Sequence, residues 1–173
     1  MNDVIQAMLA RRSCRSYKEE QITEAELSEI LLAGTYAASG MGRQAAKIVV
    51  VQDKETREQL RKMNAAVMGT PDADPFYGAP TICIVLADPE VRTWNEDGAL
   101  VMGNLMLAAS TLGVASCWIH RAKEEFDSPE GKALLKKWGI DERYRGIGHC
   151  ILGYAAGPLP EARPRKNDYI VRI

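Results

Sequence analysis

The chain has 173 residues, 46% of them hydrophobic and 26% charged, with a formal net charge of −1. That is the make-up of one globular domain, able to bury about 70% of its unfolded surface. A charge so near zero excludes the broad basic face that non-specific nucleic-acid binding needs. No apolar run reaches the roughly 18 residues of a membrane span, and the N-terminus lacks a charged-then-apolar signal pattern, so no membrane partner is expected and the cytoplasm is the expected compartment.

Asp3 to Ala10 reads as a short helix carrying Val4, Ile5, Met8 and Leu9, and it delivers the segment Arg11-Arg12-Ser13-Cys14-Arg15-Ser16-Tyr17. Three guanidinium groups within five residues stand out in a chain of this charge. Arginine presents a planar fork of donors that fits phosphate oxygens and stays charged at physiological pH. A local anion site is one reading; the other is a solvated helix end, where cations meet the negative end of the helix dipole.

Thr23-Glu24-Ala25-Glu26 is a capping box opening a helix with Leu27, Ile30 and Leu31 on its buried stripe and Gly34 as its stop. Ser39-Gly40-Met41-Gly42-Arg43-Gln44 then forms a glycine-rich connection, either a plain loop or a backbone that can approach a flat ligand closely. Lys47 to Gln52 predicts a strand, Lys54 to Val67 a helix, Gly69 to Pro80 a loop, and Thr81 to Ala87 a fully buried strand.

Asn95 to Leu112 predicts a helix that is apolar nearly all round, which belongs in a core or a subunit interface and predicts a two-fold dimer. Ala115 to His120 predicts a third strand. Glu124, Glu125 and Asp127 form a solvated acidic run, and Ser128-Pro129-Glu130 opens a helix ending at Gly139. Gly146 to Ala155 predicts a fourth strand, but its glycines lack the spacing of a dinucleotide fingerprint. A proline-rich tail follows, with a second basic site at Arg163-Pro164-Arg165-Lys166 and a strand-like end, Asp168 to Ile173, with no local hairpin partner. Strands alternating with helices give an α/β-type sheet with helical cover.

The four cysteines are far apart, and Cys83, Cys117 and Cys150 lie in apolar runs, where a free thiol behaves as a small core residue. Only two histidines exist, His120 and His149; neither a zinc site nor a nucleophilic triad can be assembled from them. His149 reads as structural.

These features in this order resemble the FMN-dependent nitroreductase family across nearly the whole chain. The likeness rests on Arg11 to Tyr17, on Gly42 to Ala46 before a strand, on Asp97 to Ala109 (DGALVMGNLMLAA), on Leu112 to Ile119 (LGVASCWI), on Gly153 to Ala155 and on the basic C-terminal segment. The resemblance implies an α+β, three-layer fold with a central mixed five-stranded sheet flanked by helices. It implies a single FMN-binding domain over residues 1–173, in an intertwined homodimer whose tail, residues 158–173, extends onto the partner.

It also implies that Arg11, Ser13, Arg163 and Arg165 hold the FMN phosphate and ribityl end, with Arg12 and Arg15 along the cofactor and Arg15 near the pyrimidine. Ser39, Gly40, Met41, Gly42 and Gln44 of the other subunit would approach the ring. The backbone of Trp118, Ile119, His120 and Arg121 would line the flavin near its reactive nitrogen. The implied activity is hydride transfer from NAD(P)H through FMN to a small-molecule acceptor such as a nitroaromatic or quinone, with no side-chain acid or base required. The chain departs from the family pattern at Gly42, where an Asn is usual, and at Ala45-Ala46, where Pro-Trp is usual. Those departures motivate a second reading, a flavin carrier or sensor without turnover; a reductase that releases reduced FMN and a non-flavin phospholigand-binding or purely structural dimer also stay open.

Overall fold

The computed structural model describes residues 1–173. Four strands, β1 (Ala46–Val51), β2 (Thr81–Ala87), β3 (Ala115–Ile119) and β4 (Arg145–Gly153), make one sheet in the order β1-β2-β4-β3. Six helices cover it: α1 (Asp3–Ala10), α2 (Glu24–Thr35), α3 (Lys54–Met68), α4 (Trp94–Thr111), α5 (Ala122–Asp127) and α6 (Pro129–Lys137). None is long and apolar enough to cross a membrane.

The α+β, three-layer reading holds, with a difference in the sheet. The chain supplies four strands rather than five, and every neighbouring pair is antiparallel. The reason lies in the connections. After β1, α3 carries the chain away over 15 residues, and the loop from Gly69 to Pro80 then brings it back. β2 therefore starts beside the end of β1, with Ile82 opposite Val51 and Ala87 opposite Ala46. A helix alone would have produced a parallel crossover.

Side chains of a strand alternate between faces, and each face has its own core. On one, Ile82, Ile84 and Leu86 of β2 and Ile151 of β4 pack with Leu60 and Met63 of α3, Phe126 of α5 and Leu134 and Leu135 of α6. On the other, Cys83, Val85, Cys150 and Leu152 pack with Leu27 and Ile30 of α2 and Val101, Met102 and Leu105 of α4. Because both faces are covered, all seven residues of β2 are buried.

Local chemistry sets the helix starts. Thr23 Oγ1 accepts a hydrogen bond from the Glu26 amide at 3.2 Å, and Glu26 Oε2 accepts from the Thr23 amide at 2.8 Å, which completes the capping box and is worth about 1 kcal/mol. Ser128 caps α6, with Pro129 at its first position. The glycines of β4 have steric reasons. A side chain at Gly146 would strike the Ala122 carbonyl oxygen at 2.1 Å, and one at Gly148 would strike the Trp118 indole at 2.5 Å.

All four cysteines are free and buried. Burial pushes the Cys83 thiol up to about 12 and the Cys150 thiol well above its ordinary value.

The acidic run is a correction. Residues 122–127 are a helix, α5, and Glu125 lies on its inner side, 1% exposed, while Glu124 and Asp127 face solvent. Ala122, Glu125 and Phe126 stand at i, i+3 and i+4, one face of a helical turn.

Two regions contrast with this interior. No residue of α1 is buried, and Val4, Ile5, Met8 and Leu9 are each about half exposed or more. Residues 156–173 are exposed throughout, including Tyr169, Ile170, Val171 and Ile173.

Candidate flavin site

Arg11 to Tyr17 runs as an extended segment along the outer edge of β3. Ser13 bridges Ser116 in parallel, and the Cys14 amide donates to the Ser116 carbonyl at 2.9 Å. The tail then doubles back beside this segment. Tyr17 pairs with Ala155 antiparallel; the Lys18 amide donates to Tyr154 O at 2.9 Å and the Ala156 amide to Ser16 O at 3.0 Å. Running antiparallel to residues 11–17, the tail carries residues 160–165 back towards Arg11.

The result is a cleft of about 870 Å³ lined by Arg11, Arg12, Ser13, Arg15, Arg163 and Arg165, with Met8, Leu9 and Pro160 also on its wall. Five arginines face a single carboxylate, Glu161. The sequence had left an anion site and a solvated helix end equally open; the fold brings both basic segments to one place.

The guanidinium groups differ in what they already bind. Arg12 Nη1 donates to Leu9 O at 2.6 Å and Arg11 O at 2.8 Å, so it caps the end of α1. Arg165 Nε donates to Arg163 O at 3.1 Å. Arg11 is the informative one: its Nη1 is buried and has no partner in the chain. A buried charged donor without an acceptor costs more than a buried neutral polar group, and a phosphate oxygen in the cleft would satisfy it. Beneath the segment, Tyr17 Oη donates to Cys14 O at 3.1 Å. Burial pushes the Cys117 thiol up while the charges of Arg15 and Arg11 oppose the rise, which marks how near they lie.

Trp118 to Arg121 follow at the end of β3. Trp118 is half-buried across Gly148, Ile119 is core, and His120 is exposed. Arg121 has a φ of +78°, in the left-handed region, which costs a side-chain-bearing residue about 1–2 kcal/mol. Asn64 of α3, fully buried, holds this turn: Nδ2 donates to His120 O at 2.9 Å and also to the Glu125 carboxylate, while Oδ1 accepts from Arg121 Nε at 2.9 Å. Sequence reasoning missed Asn64 and the inward aim of Glu125. His149, read as structural, is buried beside Phe76 and Phe126.

The Ser39 to Gln44 segment is elsewhere and shares no lining residue with the arginine cleft. It forms a short turn in which Met41, Gly42 and Gln44 all have positive φ. Asp97 of α4, almost fully buried, anchors it through the Gly40 amide at 3.0 Å, and its other oxygen accepts from Thr93 Oγ1 at 3.2 Å. Ser39 and Gln44 belong to a second, mainly apolar groove of about 350 Å³ with Leu31, Ala45, Ile48, Val50 and Val101. Within one protomer, then, the predicted set separates: both basic segments converge, and the glycine-rich turn lies apart.

The family model for the nitroreductase family matches residues 8–154, from the end of α1 through β4. The chain belongs to the nitroreductase family. It is 30% identical over 159 residues, 89% of this chain and 86% of the relative, to a putative NADH dehydrogenase/NAD(P)H nitroreductase of Archaeoglobus fulgidus. A nitroreductase from Bacteroides fragilis, solved with bound FMN, superposes with a TM-score of 0.91 at 33% identity, covering 100% of both chains. A second, from Desulfitobacterium hafniense and also with bound FMN, gives 0.89 at 27% identity, covering 100% of this chain and 99% of that one. Five converging guanidinium groups make the cleft strongly anion-attracting, and arginine forks suit phosphate oxygens.

Proposed function

We propose that this chain is an FMN-dependent oxidoreductase that uses NAD(P)H to reduce a small acceptor such as a nitroaromatic or a quinone. The observation that carries the reading is the cleft in which Arg11, with its unpartnered buried nitrogen, meets Arg163 and Arg165 from the other end of the chain. When bound, FMN supplies hydride chemistry that no side chain can perform. The residues of the chain bind and orient. Arg11, Ser13, Arg163 and Arg165 would hold the phosphate end. Arg15 would place positive charge beside the ring, where reduction adds negative charge. Backbone of Trp118 to Arg121 would border the ring.

The same reading includes a homodimer. β1 is an open sheet edge, and Ile48 and Val50 of that strand line the apolar groove. The terminal Asp168 to Ile173 segment is apolar and exposed, and supplied by a partner it would add the fifth strand along β1. The exposed apolar side of α1 and Leu100 on the outer side of α4 support a large apolar contact of this kind. The glycine-rich turn, separate in one protomer, would reach the partner's cleft. Four unpaired thiols fit a reducing cytoplasm.

The test is an absorption spectrum of the purified protein before and after NAD(P)H. Visible flavin absorbance that bleaches with NAD(P)H and returns with a nitroaromatic or quinone is expected; colourless protein that ignores added FMN overturns the proposal. Bound FMN that NAD(P)H never bleaches would instead favour the carrier that Gly42, Ala45 and Ala46 motivate.

A further inference from the structure

The left-handed turn at Arg121 is held from below by groups that nothing in the flavin reading requires. Asn64 is fully buried on α3, Glu125 is buried on α5, and His149 is buried on β4. His149 Nε2 lies 3.3 Å from Glu125 Oε2, and neither atom has a hydrogen-bond partner of good geometry. Three polar side chains in an otherwise apolar core are an expensive arrangement, and they form a chain that ends, through Asn64, on one peptide group. Asn64 Nδ2 takes the carbonyl of His120, and Asn64 Oδ1 ties down the side chain of the next residue, Arg121.

Elementary peptide geometry gives the consequence. All peptides here are trans, so in each the C=O and N–H point to opposite sides of the chain. With the His120 carbonyl turned inward to a fully buried amide, the N–H of that same peptide, belonging to Arg121, is turned outward. It makes no hydrogen bond within the chain. Arg121 itself has a positive φ, and such states persist only where surrounding structure over-determines them.

We propose that Asn64 and Glu125, backed by His149, are positioning residues that lock the His120–Arg121 peptide with its N–H presented outward as a hydrogen-bond donor to the flavin ring. The inference rests on the FMN reading above and deepens it. Asn64 is the clamp. Glu125 orients the clamp by accepting from its amide, and His149 closes the far side of Glu125. None of the three lines the arginine cleft.

Ligand choice separates this unit from the arginine cleft. Riboflavin lacks the phosphate and reads ring contacts, whereas inorganic phosphate reads the arginines. Asn64→Ala is expected to weaken riboflavin about tenfold and leave phosphate affinity unchanged, both measured by titration. Glu125→Ala should do the same, while Glu125→Gln, which keeps an acceptor for Asn64, should restore riboflavin binding to within about twofold. A folded Asn64→Ala protein that binds riboflavin like wild type overturns the proposal. Should the variants fail to fold, the wild-type amide of Arg121 decides. Its resonance should shift, and its hydrogen exchange slow, when FMN is added; an Arg121 amide indifferent to FMN overturns the proposal. Wild-type protein that binds neither FMN nor riboflavin overturns the flavin reading itself, a result distinct from the other two.

Discussion

In β2 every side chain is buried and every strand neighbour is supplied by the same chain, whereas α1 buries nothing and residues 156–173 lie wholly in solvent. The middle of the sheet is complete within one protomer: two apolar cores, capped helices, glycines where neighbours press closest. The two ends are unfinished within one protomer. They hold apolar side chains in water and a buried guanidinium nitrogen with no acceptor. The contrast separates residues that make the fold from residues that, on the reading proposed above, a phosphate or a second protomer would satisfy.

Removing residues 158–173 tests that division most severely. The shortened chain should keep its far-UV circular dichroism, sediment as a monomer and retain no FMN; a shortened dimer that stays yellow would erase the distinction. Phe126→Ala attacks the other region. It empties a fully buried aromatic site and should cost about 3–5 kcal/mol in urea unfolding; flavin would be lost only along with the fold. Arg11→Ala should do the reverse, lowering FMN affinity by about 2 kcal/mol, roughly thirtyfold, with an unchanged thermal midpoint. A drop in that midpoint would make Arg11 a folding residue.

The smallest effect concerns Asp127, whose carboxyl a hydrogen bond from Arg145 holds below its ordinary value. A carboxyl depressed in the folded state contributes stability above its unfolded value, near 3.9, and that contribution is lost as pH falls through the folded value. Asp127→Asn should therefore cost less than about 1 kcal/mol at pH 7, since the pair is partly solvated, and flatten the stability curve below about pH 4. Both are read by denaturant titration across pH.

What could be read from the sequence was local. Thr23 and Glu26 announce their helix because both partners lie within one turn, and β2 announces itself because seven consecutive apolar or small residues have only one use. Strand direction was not legible, since it depends on a loop returning the chain across the length of α3. Glu125 was hidden by its neighbours: three carboxylates in a short stretch suggest solvent, although Ala122, Glu125 and Phe126 carry the spacing of an inward face. Asn64 had no signal of its own, because its partners are 56 to 61 residues away. The arginine cleft was half legible. Both basic segments could be seen, but their meeting depends on the Tyr17–Ala155 bridge.

The four sealed cysteines have a consequence for a protein that carries electrons. Redox flavins exposed to dioxygen release reactive oxygen species, and these attack sulfur chiefly as thiolate. Burial pushes the Cys83 thiol up to about 12 and the Cys150 thiol well above its ordinary value, so these two offer little of the form that such oxidants consume. Those two core sulfurs stay silent while electrons pass through the flavin.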